Sequence, residues 1–150
     1  MVKAAIHDDI LGPLTWDEQH SWWTFEVGPI GGRLICGSII PEDSRVPLAG
    51  VQLDTVRACV TWIRGNEAAV REFITSKAFD WRREGWYDDE IDTVTTPNGF
   101  RETIRLGGVN FYEDGKARMC YEDGGLIGGH SLRVTVGPGG TFEHGPELFG

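Results

Sequence analysis

Cysteine is scarce in this chain. The 150 residues include three, Cys36, Cys59 and Cys120, which are far apart, odd in number and without a Cys-x-x-Cys pair. That spacing argues against a disulfide framework and against a zinc site built from paired cysteines. Each cysteine lies among apolar residues, so we expect buried, reduced thiols that act as small hydrophobic side chains. Reduced thiols are typical of a reducing compartment.

Long apolar runs are also missing. The first nine residues contain no apolar stretch of signal-peptide length, and no segment approaches the ~18 uninterrupted apolar residues of a membrane span. We therefore expect a cytoplasmic protein that has no membrane partner. At this length the chain is expected to form a single domain, residues 1–150.

Basic residues are in deficit. Lys and Arg number 14 against 23 Asp and Glu, which gives a net charge of −9 and a pI of ≈ 4.8. Nucleic acid is not an expected partner, because phosphate binding needs an excess of Lys and Arg. A negative charge of this size would attract a basic protein partner through the overall electrostatic field of the protein. Solubility alone would also be a sufficient reason for it.

Motifs of nucleophilic catalysis and phosphate binding are absent. No Gly-x-Ser-x-Gly elbow occurs, and Cys36-Gly37-Ser38 lies inside a predicted strand. The glycine-rich stretches do not connect a strand to a long helix and lack the Lys-Ser/Thr of a phosphate loop. They lie at 28–32, 124–129 and 137–140.

Metal-ligand spacing is missing as well. The four histidines do not form a His-x3-His pair, and the acidic run from Asp88 to Asp92 lacks the glycine and terminal glutamate of a calcium loop. We expect no bound metal and no cofactor. With no catalytic constellation in the sequence, an enzyme is the less favoured of the possible functions.

The C-terminal part has the clearest pattern, that of an antiparallel meander from Val109 to Leu148. Apolar and polar residues alternate in 117–121 and 131–136, which predicts strands with one buried face. Asp114-Gly115 predicts a tight hairpin turn between 109–112 and 117–121. A last strand is predicted from Thr141.

The N-terminal part also predicts β structure. Strands are expected in 10–16, which is interrupted by Pro13, and in 22–27 and 33–40. The last is apolar on both parities, so we expect a central strand that is covered on both faces. If Pro13 or 109–112 lies in an edge strand, either could pair with a second chain. A monomer and a homodimer are both open.

Between the two β regions the apolar period becomes helical. Two helices are predicted, about 48–64 and 66–84, with Gly65 as the stop of the first and Asn66 as the N-cap of the second. They would form an antiparallel helical hairpin packed on one face of the sheet. Thr96-Pro97 predicts a short third helix. The fold class is therefore α+β. The predicted core combines a helical set with a strand set: Leu53, Val56, Val60, Ile63, Val70, Phe73, Ile74 and Trp81 against Phe111, Met119, Leu132, Val134 and Val136.

The connector that precedes the 131–136 strand is the first candidate site. It contains Asp123, Gly128, Gly129, His130 and Ser131. Glycines allow close approach of backbone or ligand, and a histidine can act as a base or as a ligand. In the structural interpretation the His130 ring faces the core side and anchors the glycine-rich backbone. In the alternative, His130 and Asp123 line a ligand pocket.

The tryptophans supply a second candidate, a partner surface. The chain has six, and exposed tryptophan favours protein interfaces. Trp22 adjoins Trp23 in a strand, so the two face opposite sides, and Trp62 lies off the main stripe of its helix. The alternative is that these side chains pack in a second small core. The candidate surface consists of Trp22, Trp62, Trp86, Asp88, Asp89 and Glu90.

Three segments resemble an uncharacterised bacterial family known only as a domain of unknown function. They are Asp9 to Leu14, Thr96 to Phe100, and Asp123 to Leu132, the last being similar to the family's Asp-Gly-x-Leu-Phe-x-Gly-His-Ser-Ile strand entry. Ile127 stands where the family has an aromatic residue. The resemblance implies the α+β fold and a cytoplasmic bacterial protein, and it implies no mechanism.

Two functions from different classes follow. The first is a non-enzymatic protein-interaction domain, of the kind in which a small acidic immunity protein blocks a basic toxin. The second is a small enzyme or ligand-binding domain with its pocket at the connector around His130. A deep pocket at His130 would favour the second, and an acidic surface bearing tryptophan would favour the first.

Overall fold

The computed structural model describes residues 3–85 and 94–149. Eight strands form one sheet in chain order, and two helices lie between the fourth and fifth strands. Neighbouring strands are antiparallel except β4 and β5, which are parallel. The strands are β1 (Ile6–Asp8), β2 (Gly12–Asp17), β3 (Trp22–Ile30), β4 (Arg33–Ile40), β5 (Arg105–Tyr112), β6 (Ala117–Glu122), β7 (Ser131–Val136) and β8 (Phe142–Phe149); the helices are α1 (Gly50–Gly85) and α2 (Pro97–Thr103).

The sheet curves around α1. Trp62 of the helix contacts Phe142 of β8, while Arg64, less than one turn later, donates to the Gly28 carbonyl oxygen of β3 at 3.1 Å. These strands lie five places apart in the sheet. A flat sheet would separate them by about 24 Å, far more than the width of a helix. The core therefore fills the space between the concave face and the helix.

Alternation along the strands places one side chain in two in this core. Trp23, Phe25 and Val27 of β3 are buried, as are Leu132, Val134 and Val136 of β7. Gly37 of β4 has no side chain where the Phe25 ring packs, and a Cβ there would lie 2.9 Å from that ring. All five strand residues predicted as core are buried, and the predicted α+β class is confirmed.

The predicted helical hairpin is wrong, because α1 is one helix of 36 residues. Its buried stripe continues from Ile63 to Val70, a step of seven residues or two turns, so the same face points inward before and after Gly65. Asn66 is an interior residue whose Nδ2 donates to the Trp62 carbonyl oxygen at 2.8 Å. Burial along a continuous stripe outweighs the cost of about 1 kcal/mol for one helical glycine.

Packing on the helix also differs from the prediction at three positions. Leu53, Phe73 and Trp81 are only partly buried, and Phe73 stacks on Phe142 with ring centroids 4.5 Å apart. Ala78 and Phe79 are buried in the second half of the helix. The short helix behaves as predicted: Thr96 caps it, accepting from the Gly99 N–H at 3.1 Å.

Two predictions about the strands are corrected. β4 is central, but its convex face is covered only in part: Ser38 is buried there, whereas Leu34 and Cys36 are exposed. The 109–112 segment belongs to β5, which is paired on both sides, and Pro13 of β2 lies opposite His7 of β1. Neither segment is an edge, since the outermost strands are β1 and β8.

Candidate functional site

An apolar cleft lies between the first half of α1 and two turns of the sheet. Its volume is ≈ 440 Å³, within the range of sites that accept a small molecule or a partner's side chain. Trp62 forms one wall and the Gly137-Pro138-Gly139-Gly140 turn between β7 and β8 forms the other. The lining residues are Asp54, Thr55, Ala58, Cys59, Trp62, Gly115, Val136, Gly137, Pro138, Gly139 and Gly140.

Two glycines allow close packing of the residues that line this cleft, here called the Trp62 cleft. A Cβ on Gly140 would collide with the Trp62 indole, and Gly140 also has a φ of +85°. On the opposite wall, a Cβ on Gly115 would lie 3.0 Å from Pro138, at a φ of +89°. Larger residues at these two turns would displace Trp62 or Pro138, so the shape of the cleft depends on both glycines.

Cys59 contributes an apolar surface to the cleft floor rather than a nucleophile. Burial raises the pKa of its thiol to about 11, so the reactive thiolate is scarce at neutral pH. Trp62 packs edge-on against Phe142 at 6.3 Å between ring centroids. That contact fixes the orientation of the indole face that borders the cleft.

Four carboxylates lie in or near the lining of the Trp62 cleft. Asp54 lines it directly, and the Glu143 carboxylate lies beside Gly137. Glu113 and Asp114 precede Gly115, and Glu113 accepts a hydrogen bond from Gln52 of α1. Two cations stand near these four acids. Lys116 pairs with Glu143 at 3.3 Å, and Arg57 pairs with both Asp54 and Asp8. The rim is thus acidic around an apolar interior.

Asp123 organises the candidate connector. Its side chain is buried, and its carboxylate oxygens accept from the backbone N–H groups of Gly125, Ile127 and Gly129 at 2.9, 2.8 and 2.9 Å. The carboxylate is therefore used to hold the loop. His130 is half-buried, and its backbone N–H donates to the Ile127 carbonyl oxygen at 3.1 Å. Ser131 begins β7, and Gly128 and Gly129 are exposed.

The two described tryptophans of the predicted partner surface are not brought together. Trp62 lines the cleft, whereas Trp22 lies on the convex side of β3 and stacks on His20, with ring centroids 4.7 Å apart. The Trp22 Nε1 is buried and has no hydrogen-bond partner within the described part of the chain. The other predicted members, Trp86, Asp88, Asp89 and Glu90, lie outside the described residues.

A larger cleft of ≈ 760 Å³ opens where β2 diverges from β3. Pairing between these strands ends at Thr15 and Thr24, which leaves a space bordered by Leu34, Cys36 and Arg64. It is wide and as polar as it is apolar, so it offers less desolvation to a ligand than the Trp62 cleft does.

Residues 8–145 match the sequence profile of a family described as an uncharacterised protein conserved in bacteria, DUF2262. The chain belongs to the DUF2262 family. The predicted resemblance to an uncharacterised bacterial family is thereby confirmed, and the match extends from β1 into β8. Comparison with curated proteins and with solved structures found no match. Neither helix, over the described residues, is long and apolar enough to cross a membrane.

Sequence reasoning identified Trp62 in this DUF2262 chain but missed the rest of the cleft. The turn glycines at 115 and 140 were visible as turn signals, yet their approach to α1 depends on the curvature of the sheet. Among residues 3–85 and 94–149, no three His, Cys, Asp or Glu side chains converge closely enough to hold a metal ion.

Proposed function

We propose that this domain is a non-catalytic, cytoplasmic protein-interaction domain that binds a basic protein partner, as an immunity protein binds a toxin. The observation that carries the proposal is the Trp62 cleft with its acidic rim. A partner segment would insert an apolar side chain into the cleft, against Trp62 and the glycine turn, while its Lys or Arg residues face the carboxylates.

The chemistry of the cleft supports this kind of occupant. Trp62 is partly exposed at the cleft, and tryptophan is enriched among the interface residues that contribute most of the binding energy. Rim carboxylates add little affinity in water, but they speed the encounter with a basic partner and reject acidic ones. The net charge of −9 acts in the same direction over longer distances.

The alternative, an enzyme or ligand site around His130, receives less support. The Asp123 carboxylate already accepts three backbone hydrogen bonds. To act as a base or to bind a ligand, Asp123 would have to give up these hydrogen bonds and so release the loop.

The test uses capture followed by measured affinity. Wild-type protein is immobilised and exposed to an extract of a bacterium that carries its gene. The partner protein that it retains is then purified. The retained partner should be a basic protein. In calorimetry, Cys59→Phe, which fills the cleft, should bind it at least about tenfold more weakly than the wild type does. Affinity should fall as salt is raised, because the rim charges are screened.

Ala68→Phe is the matched control. Ala68 is exposed on α1 and outside the cleft lining, so the same added ring should leave the affinity unchanged. Equal affinity of Cys59→Phe and wild type would contradict the cleft as the binding site. A partner without basic character, or no stoichiometric partner at all, would contradict the function.

A further inference from the structure

Three arginines converge on a third cleft, of ≈ 310 Å³, at the opposite end of β5 from the Trp62 cleft. Arg33 comes from the start of β4, Arg71 from α1 and Arg105 from the start of β5. Ile30, Ile35 and Leu106 form its apolar wall. Such a concentration of positive charge is unexpected in a chain with 23 acidic and 14 basic residues.

The parallel pairing of β4 with β5 causes this convergence. The strands run side by side from Cys36 opposite Gly108 onward, and Arg33 and Arg105 each stand three residues before that pair. The two guanidinium groups therefore lie at the same end of the sheet. Like charges on adjacent strands repel, and in the described part of the chain neither Arg33 nor Arg105 forms an ion pair.

Arg71 is held in place by its neighbours. Its Nε and Nη2 donate to Glu67 Oε1 at 3.2 and 2.9 Å, and its Nη1 donates to the Arg101 carbonyl oxygen at 3.2 Å. The hydroxyl of buried Tyr121 donates to the same Glu67 oxygen at 3.1 Å. One guanidinium is thus fixed, while the two exposed arginines can close on a ligand.

Two carboxylates limit which anion fits. Glu67 offsets the charge of Arg71, and Glu102 lies in the cleft lining. Arg33 and Arg105 form no ion pair in the described part of the chain, although Glu122 of β6 stands opposite Arg105 in the strand register. A phosphate group presents several oxygens and about two charges, so it can accept hydrogen bonds from both guanidinium groups at once. A carboxylate has only two oxygens and one charge.

We propose that the arginine cleft is a binding site for a phosphate group, borne by inorganic phosphate or by a small phosphomonoester. Arg33 and Arg105 each donate two hydrogen bonds to its oxygens, and Ile30, Ile35 and Leu106 pack against any attached carbon skeleton. The site is independent of the Trp62 cleft and of the proposed protein partner.

Calorimetry at constant ionic strength tests the site with three probes: inorganic phosphate, glycerol phosphate and acetate. Binding of either phosphate compound supports the proposal, and the tighter of the two identifies the source of the group. The double variant Arg33→Gln, Arg105→Gln should weaken that binding at least about tenfold. Phosphate should also raise the unfolding midpoint of the wild type and not that of the variant.

Arg45→Gln serves as the matched control, since Arg45 is exposed, lies outside the cleft and carries the same charge. It should bind phosphate like the wild type. The proposal is overturned if neither phosphate compound binds, if acetate binds equally well, or if Arg45→Gln loses as much affinity as the double variant.

Discussion

Two buried carboxylates, Asp8 and Asp123, each hold a loop by accepting backbone hydrogen bonds. Asp8 accepts from the Ile10 and Leu11 N–H groups at 3.0 and 2.8 Å and from Arg57 of α1. Asp123 accepts from three N–H groups of the glycine-rich connector. At the residue scale the sequence predicted that this connector needs an anchor, but it favoured His130. The pattern of backbone donors around Asp123 depends on the turn geometry, which composition does not reveal.

Replacing Asp123 with Ala should therefore destabilise the protein more than replacing His130 with Ala. The Asp123 variant leaves the buried Ile127 N–H without its acceptor, and we expect a loss of roughly 2–3 kcal/mol in the free energy of unfolding. Urea denaturation of both variants measures the difference. Asp114→Ala is the control, because exposed Asp114 accepts a single backbone bond, from Lys116 at 3.0 Å. A larger loss for His130→Ala would restore the histidine as the main anchor.

Because of Asp8, the free energy of unfolding should fall as the pH is lowered. The Arg57 hydrogen bonds hold the pKa of this carboxyl at about 2, well below its usual value. A lowered pKa contributes stability that is complete above the unfolded-state value and is lost as pH falls through the folded one. The contribution is complete at neutral pH, and it declines from about pH 4 to pH 2.

Urea midpoints at pH 6 and pH 3 measure this effect. Wild type should lose more stability between the two values than Asp8→Asn does, since the variant has no carboxyl to titrate. Asp9→Asn, at an exposed neighbouring position, should behave like the wild type. Parallel acid dependence of Asp8→Asn and wild type would contradict the assigned role.

At the scale of elements, strands were predicted better than helix ends. Alternation in 117–121 and 131–136 reflects burial of one face, which is a local property of the chain. The junction at Gly65-Asn66 carries local signals of a helix stop, and the unbroken stripe from Ile63 to Val70 overrides them. Propensity is a weaker determinant than the burial of a continuous apolar face.

Gly65→Ala distinguishes one helix from two. Gly65 is exposed within α1, and a Cβ there meets nothing within 4 Å, so the alanine should raise the free energy of unfolding by about 0.5–1 kcal/mol. If Gly65 instead ended a helix with positive φ, the same change would lower it. Gly124→Ala is the opposite control: at a φ of +64° its Cβ would lie 2.7 Å from Thr103 Cγ2, so it should destabilise. Thermal unfolding should give a higher midpoint than wild type for Gly65→Ala and a lower one for Gly124→Ala.

At the scale of the whole molecule, the sequence predicted the α+β class but not the curvature of the sheet. The Trp62 cleft and the arginine cleft both depend on that curvature and on strand order. Glycine turns far apart in sequence from α1 reach it only because the sheet closes around the helix. No local pattern at residues 115 or 140 reveals that these turns lie close to α1.

A single continuous sheet predicts one cooperative unfolding transition, as expected for a single domain of residues 1–150. Far-ultraviolet circular dichroism reports mainly α1, and the fluorescence of the tryptophans in the described part of the chain reports β2, β3 and α1. The two signals should give the same urea midpoint. Separate midpoints would show that α1 and the region around β2 and β3 unfold independently.

The parallel pairing of β4 with β5 also sets the kinetics of folding. Each β4 residue in the pairing meets the residue 72 positions later in the chain, as Cys36 meets Gly108, whereas the other strand pairs join sequence neighbours. Closing so long a loop costs entropy before any contact repays it. The two antiparallel halves should therefore form early, and their union should limit the refolding rate. A substitution that weakens this junction, such as Val109→Ala, should slow refolding more than an equally destabilising change inside either half.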